Sequence, residues 1–252
     1  MAPKRLYNRN LNVTIRWVSK RNSSEVEMKV NTKKIALLAL MLALIIIFCF
    51  VPVTIGTISL ALMILPVLVI AQVEDFKTTL ALSLMMGLVN YIAWFTTKAA
   101  SPLAPVFQNF FVCVVARVMI GVDAWLVRKG LQKLLDKKEL VGGKRIAADQ
   151  AVYFTSAAIG TITNTVFVGL FTLLFFNNKE LSNGTAINVK YILAWFSINF
   201  VIEFIAFAVI TPPIVFALKK AHLVSDGKVI DKKEILQQEE VKVELVNEKV
   251  GE

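Results

Sequence analysis

The sequence predicts an all-α integral membrane protein with six transmembrane helices and both termini in the cytoplasm. Three observations carry that expectation. Of 252 residues, 56% are hydrophobic and only 18% charged, with a mean hydropathy of +0.65; a soluble domain carries about 25% charged residues, so an ordinary water-facing surface is out of reach. Charge-free runs cover 35–73, 78–97, 99–116 and 150–178, and about 20 apolar residues are enough to cross the hydrocarbon core of a bilayer. Lys and Arg are gathered into a few segments, and basic segments resist translocation.

The elements follow in order. The run 35–73 is long enough for two crossings, with Pro52 and Gly56 in Val51-Pro-Val-Thr-Ile-Gly-Thr57 supplying the turn between them. This places helices at 34–51 and 58–73, the second short and containing Pro66, which points to a kink or a start in the lipid interface. Further helices are expected at 77–96, 105–128, 150–176 and 190–218. The tail before Ile35 holds nine basic residues and the loop 128–149 holds seven, whereas 52–57 has none and 96–105 only Lys98. The amino terminus is therefore expected inside, and six crossings return the carboxyl terminus to the cytoplasm. Three regions result: a basic cytoplasmic tail 1–33, a six-helix membrane domain 34–221 and a charged cytoplasmic tail 222–252. A signal peptide is excluded, because the first apolar run follows a long basic tail and more spans come after it.

Several function classes fall away. The phosphate-binding pattern GxxxxGK[ST] is absent, since Gly142-Gly143-Lys144 lacks both the earlier glycine and the following hydroxyl. One His and two Cys, Cys49 and Cys113, offer no ligand set for a metal or haem and no disulfide framework. No cofactor is expected. Asp123 and Glu203 are the acids expected within the helices, so catalysis has little to work with, and the chain is read as a non-enzyme. The net charge of +10 lies beside membrane spans rather than among stacking aromatics, which argues against nucleic-acid binding. Binding or transport remains.

Polar groups inside spans are costly and mark candidate sites. On the fourth expected helix they are Gln108, Asn109, Arg117 and Asp123; on the fifth Thr161, Thr163, Asn164 and Thr165; on the sixth Asn199 and Glu203. Asn90, Tyr91 and Trp94 close the third helix at the same outer level, and Trp195 opens the sixth. Together Asn90, Trp94, Gln108, Asn109, Arg117, Asn164, Trp195, Asn199 and Glu203 describe an outward pocket with aromatic walls and a few polar contacts. Structural readings stand beside this one. Trp94, Trp195 and Tyr191 also suit an interfacial aromatic belt, Asn164 and Asn199 suit hydrogen bonds between helices, and Arg117 and Glu203 lie at matching depth as an ion pair. Asp123, near the cytoplasmic end, is expected to meet the basic loop.

Small residues form a second pattern. Ala36, Ala39 and Ala43 share one face of the first helix and permit close approach of another helix, while Ser83, Gly87 and Gly160 serve internal packing.

In residues 33–221 the order of features resembles the substrate-binding S components of energy-coupling factor (ECF) vitamin transporters. The features are the basic lead into Ala39-Leu-Met-Leu-Ala43, the segment Ile58-Ser-Leu-Ala-Leu-Met-Ile-Leu-Pro-Val-Leu68, Ser101-Pro-Leu-Ala-Pro105, Gly160-Thr-Ile-Thr-Asn-Thr165 and the ending Thr211-Pro-Pro-Ile214. The resemblance implies a cell-membrane subunit that binds a scarce water-soluble vitamin or precursor from outside. It further implies docking on a transmembrane coupling protein and two ATPase subunits, which supply the energy. By the same analogy Ala39 and Ala43 meet the coupling protein, the loop 51–57 is a lid, and the bundle tips within the lipid to release its cargo. Pantothenate leads, because Arg117 offers a partner for its carboxylate, with riboflavin next. The second segment lacks the acidic signature associated with riboflavin-binding members, and both tails exceed what the family needs. The competing classes are a stand-alone proton-coupled carrier, in which Glu203 carries the proton, and a membrane scaffold. Inverted repeats, a common carrier sign, are not evident between 34–96 and 105–218.

Overall fold

The structure is a computed structural model. It describes residues 32–51, 53–55, 58–138, 140, 142–181, 183–221 and 223, without the side chains of 53–55, 58–59 and 195–199.

Helix α1, Thr32–Phe50, is apolar on every face. It buries Leu37, Met41, Ile45 and Cys49, one per turn, and leaves Ile35, Leu40, Ile47 and Phe50 exposed. Such a helix has no aqueous solution to its outer face, and neither do its neighbours, which expose Leu84, Ile92, Leu170, Leu174, Ile205 and Val209. Four helical stretches are long and apolar enough to cross a membrane: Thr32–Phe50, Phe76–Phe95, Gly143–Phe176 and Phe200–Lys220. The chain is a mainly helical membrane protein.

After α1 come two short antiparallel strands, β1 Val53–Ile55 and β2 Ile58–Leu60, paired Val53 to Leu60 and Ile55 to Ile58. Helix α2, Ile64–Val73, follows. The second helix thus begins six residues later than the expected start at 58. Pro66 has no N–H to donate and is best suited to a first turn, which it occupies here, and Ile58-Ser-Leu60 pairs as a strand instead. Although only ten residues long, α2 is the centre of the bundle. Its buried residues include Ile64, Val67, Leu68 and Ile70, which join Met41, Ile45, Met86, Ile120, Tyr153 and Phe207 in one core.

Helix α3 spans Phe76–Phe95. The single helix expected at 105–128 is divided: α4 Ala104–Phe107, a π-helical turn Phe111–Val115, and α5 Ala116–Asp136. The division falls at Asn109, whose side chain accepts from the N–H groups of Phe111 (2.9 Å) and Val112 (3.4 Å) and so starts a new helix there. At the far end α5 runs on to Asp136, since its charged last turns need no lipid. Helix α6 runs Gly143–Phe176 and α7 Val189–Lys220. Both exceed the expected 150–176 and 190–218. The extra first turns of α6 are held by Arg145, which reaches Asp136 at 2.7 Å and Asp149 at 3.3 Å.

Close helix contacts rest on missing side chains. A Cβ at Gly160 would sit 2.7 Å from Leu68 Cδ2 and 3.2 Å from Ala124 Cβ; at Gly121 it would collide with Ser83 Oγ. Helices in lipid gain stability from van der Waals contact rather than from water exclusion, so these positions draw α2, α3, α5 and α6 together.

Two ends are distinguishable. The Glu74 end gathers the start of α1 and α3 and the end of α2 and α5. The hairpin end gathers the end of α1 and α3, the π turn, the start of α7 and the 177–188 connection, where Leu181 and Ile187 pack with Val106, Phe107, Val112 and Ile192 in a second core.

Candidate functional site

Asn90 lies one turn and a half before the end of α3 and is fully buried. A buried amide must find partners, and this one finds them on three elements. Its Nδ2 donates to Cys113 Sγ of the π turn at 3.1 Å. Its Oδ1 accepts from Lys98 Nζ at 3.5 Å, and Cys49 Sγ of α1 approaches the same oxygen at 3.7 Å. Asn90 therefore ties α1, α3, the π turn and the 96–100 turns into one polar cluster at the hairpin end.

Aromatic rings wall one side. Trp94 stacks on Phe107 with centroids 4.5 Å apart and planes 11° from parallel. Lys98 Nζ lies 5.5 Å from the Trp94 centroid and Arg117 Cζ 5.2 Å from that of Phe107, within reach of cation–π attraction. Gln108 Nε2 donates to the Trp94 carbonyl at 3.0 Å, which fixes the end of α3 against α4.

Arg117 is 6% exposed, with its guanidinium over the Phe107 ring. The π turn shapes its surroundings: Arg117 Nη1 donates to the Val112 carbonyl at 2.7 Å. Its Nε has no hydrogen-bond partner among the described residues. Glu203 of α7 is 7% exposed and accepts from the N–H of Ala61 at 2.8 Å, so its carboxylate clasps the chain just after β2. Arg117 and Glu203 feel one another's charge. Yet they form no ion pair among the described residues, each being committed to a backbone group instead. Lys98 lies in the turns after α3, outside the helices. Burial is the main cause that lowers its pKa below the ordinary lysine value, and the Arg117 charge acts in the same direction.

The expected site residues thus divide. Asn90, Trp94, Gln108, Arg117 and Glu203 belong to one neighbourhood at the hairpin end. Asn109 is a cap for the π turn. Asn164 is buried on α6, its Oδ1 without a partner among the described residues, and no described contact joins it to the cluster. The side chains of Trp195 and Asn199, and those of 52–57 in the expected lid 51–57, lie outside the described residues. Among the described residues Asp123 forms no ion pair with the basic loop, where one was expected. It accepts from Thr163 Oγ1 at 3.0 Å, because α5 and α6 pack closely there. Thr161 and Thr165 bond carbonyls one turn back in their own helix. Tyr91 packs edge-on against Phe95 and Phe110.

Lys98, Cys49, Cys113 and Phe107 were not singled out from sequence. Lys98 read only as a loop charge, though it is the one basic residue in 96–105, and that isolation was the available signal. The cysteines read as apolar.

Ala39 and Ala43 are exposed on the outer face of α1. Beside them an apolar groove of about 530 Å³ runs between α1 and α3, lined by Ile35, Leu38, Ala39, Leu42, Ala81 and Met85 among others. No family model matches the chain, and no curated protein matches it either.

Proposed function

We propose that this protein is a multi-pass cell-membrane subunit that captures a water-soluble vitamin or precursor at the hairpin end. In this reading it is the S component of an ECF importer, with six crossings and both termini cytoplasmic. The observation that supports it most is the hairpin end itself. A fully buried Asn90, stacked rings and two cations meet there, and the connection leaving the β-hairpin is held by a single carboxylate, Glu203. Polar groups gathered at such depth are expensive. A ligand offsets that cost by supplying the partners they lack.

The mechanism follows from those contacts. Ligand enters at the hairpin end and displaces water from Lys98 and Arg117. The hairpin closes over it, with the Ala61–Glu203 hydrogen bond acting as the latch at the foot of the lid. Opening requires that bond to break. Energy comes from elsewhere: a coupling protein docks on the Ala39 and Ala43 face of α1, two ATPase subunits drive it, and lipid surrounds the remaining faces. Pantothenate and riboflavin are the first candidates for cargo.

The test is a panel titration of purified protein in detergent, read by Trp94 fluorescence, together with copurification of the coupling subunits. Saturable binding of one vitamin at nanomolar concentration, with Ala39→Trp and Ala43→Trp losing the partners but keeping the ligand, supports the reading. Uptake that continues without any ATPase partner and collapses with the proton gradient assigns the protein to the secondary carriers instead.

A further inference from the structure

The hairpin end carries an unbalanced charge. Within the cluster Lys98 and Arg117 contribute two positive charges and Glu203 one negative; Lys179, Glu180 and Lys190 at the same end are exposed to the surroundings, and the ion pairs among the described residues involve only Lys34 and Arg145 as cations. The segments beside the cluster whose side chains are not described, 52–59 and 195–199, contain no Asp or Glu in their sequence. No carboxylate of the hairpin is therefore available to neutralise the surplus. Cys49 and Cys113 bond the Asn90 amide and bring no carboxylate to the cluster.

Two like charges on the rings of one stacked pair, one of them 94% withdrawn from solvent, are unfavourable together unless something negative joins them. The geometry also says where it would go. Among the described residues Lys98 Nζ touches only the Asn90 amide oxygen at the long limit of a hydrogen bond, 3.5 Å, and the Trp94 face, which leaves ammonium protons to donate. Arg117 has one nitrogen on Val112 and an unsatisfied Nε. Lys98 lies in the turns after α3 and Arg117 at the start of α5.

Resting on the binding-subunit reading above, we propose that the ligand is an organic monoanion, a small water-soluble molecule with one carboxylate, whose charge is neutralised jointly by Lys98 and Arg117. A dianion overshoots the single surplus charge. A neutral or cationic ligand leaves the two cations facing one another in a water-poor site, where charge-assisted hydrogen bonds are the strong ones. This separates the candidate cargoes by chemistry: acids are favoured over flavins and over thiazolium compounds.

The experiment is calorimetric titration of the full chain in detergent with matched pairs: pantothenate against pantothenol, nicotinate against nicotinamide, biotin against its amide. Riboflavin and thiamine are included as non-acids. One acid is expected to bind at least tenfold more tightly than its uncharged partner. Lys98→Met is expected to lower that acid's affinity at least tenfold, and Lys98→Arg to restore it to within threefold, with all variants unfolding at the wild-type temperature. Raising the pH should weaken acid binding before the ordinary lysine range is reached, a dependence that Lys98→Arg removes. Tight binding of riboflavin, thiamine or an uncharged partner overturns the charge assignment while leaving the binding-subunit reading intact. So does an acid whose affinity ignores Lys98→Met. Absence of saturable binding across the whole panel by folded protein overturns both.

Discussion

At the Glu74 end, Lys34 bridges Glu74 at 2.8 Å and Asp75 at 2.6 Å, and Arg128 Nη2 donates to the Glu74 carbonyl at 2.9 Å beside the Trp125 indole. At the hairpin end, Arg117 is more withdrawn from water than Lys34, yet among the described residues it and Lys98 meet only an amide oxygen, a carbonyl and ring faces. The same contrast holds for neutral groups. Gln72 donates to Ser156, which donates to the Ala124 carbonyl, closing a chain between α2, α6 and α5. Asn90, by contrast, is left to partner soft thiols and a lysine. The Glu74 end pairs a cation with carboxylates, although Gln72 Oε1 and Arg128 Nε there are also left without partners among the described residues. The hairpin end holds two cations with no ion pair among the described residues.

Substitutions at the two ends should therefore separate binding from stability. The largest effect belongs to Arg117→Met. Truncating one partner of a buried charge contact costs about 2–5 kcal/mol, so ligand affinity should fall roughly 100-fold or more by calorimetry. The ligand-free protein should lose less stability than with Arg128→Met, because the lost hydrogen bond to the Val112 carbonyl is offset by removal of a buried charge that has no carboxylate partner among the described residues. A large fall in its unfolding temperature would erase the distinction between the ends.

Arg128→Met should do the reverse. It leaves the Glu74 carbonyl without its donor and should cost about 1–3 kcal/mol of stability, measured by thermal denaturation in detergent, with ligand affinity unchanged. Next in size is Glu203→Leu, which removes the acceptor for the Ala61 N–H. Loss of a hydrogen bond to a charged group is worth about 1.5–3 kcal/mol, and ligand dissociation in stopped flow should quicken about tenfold or more as the hairpin loses its latch. Unchanged dissociation would detach the hairpin from the site.

The smallest effect is at Asp75. The hydrogen bond from Lys34, and after it the one from Thr78, lower its carboxyl to about 2. A carboxyl held below its unfolded value near ~3.9 contributes stability that is whole above that value and is lost as pH falls toward 2. Its side chain is 53% exposed, so screening by water keeps the contribution under about 1 kcal/mol. Lys34→Met should flatten this acid limb of the stability profile and little else.

Much of the scaffold was legible before the structure. Leu37, Met41, Ile45 and Cys49 recur at helical spacing, and the apolar runs mark α1, α3, α6 and most of α7. The start of α2 was misplaced although Pro66 held the information, because a proline inside an apolar run reads equally as a kink or as a first turn. Asn109 was taken as a pocket residue when its short side chain serves the backbone two and three residues on. Lys98 was passed over because a lone loop charge is normally solvated, and only the return of the chain over Asn90 and Trp94 removes it from water.

The sequence by itself determined that this chain belongs in a membrane, roughly where its helices run, and which polar groups are set at depth. Those are sums over local composition, and the high cost of a charge in hydrocarbon makes them robust. Only the tertiary structure decided which of those groups meet. Asn90 reaches Cys49 across 41 residues, and Glu203 reaches Ala61 across 142; Arg117 and Glu203, at matching depth, hold backbone groups rather than each other. The physical reason is the solvent. In lipid the outer and inner faces of a helix are both apolar, so the pattern of hydrophobicity leaves the rotation of each helix undetermined. That rotation is settled by small residues such as Gly121 and Gly160 and by the few polar contacts that close packing permits.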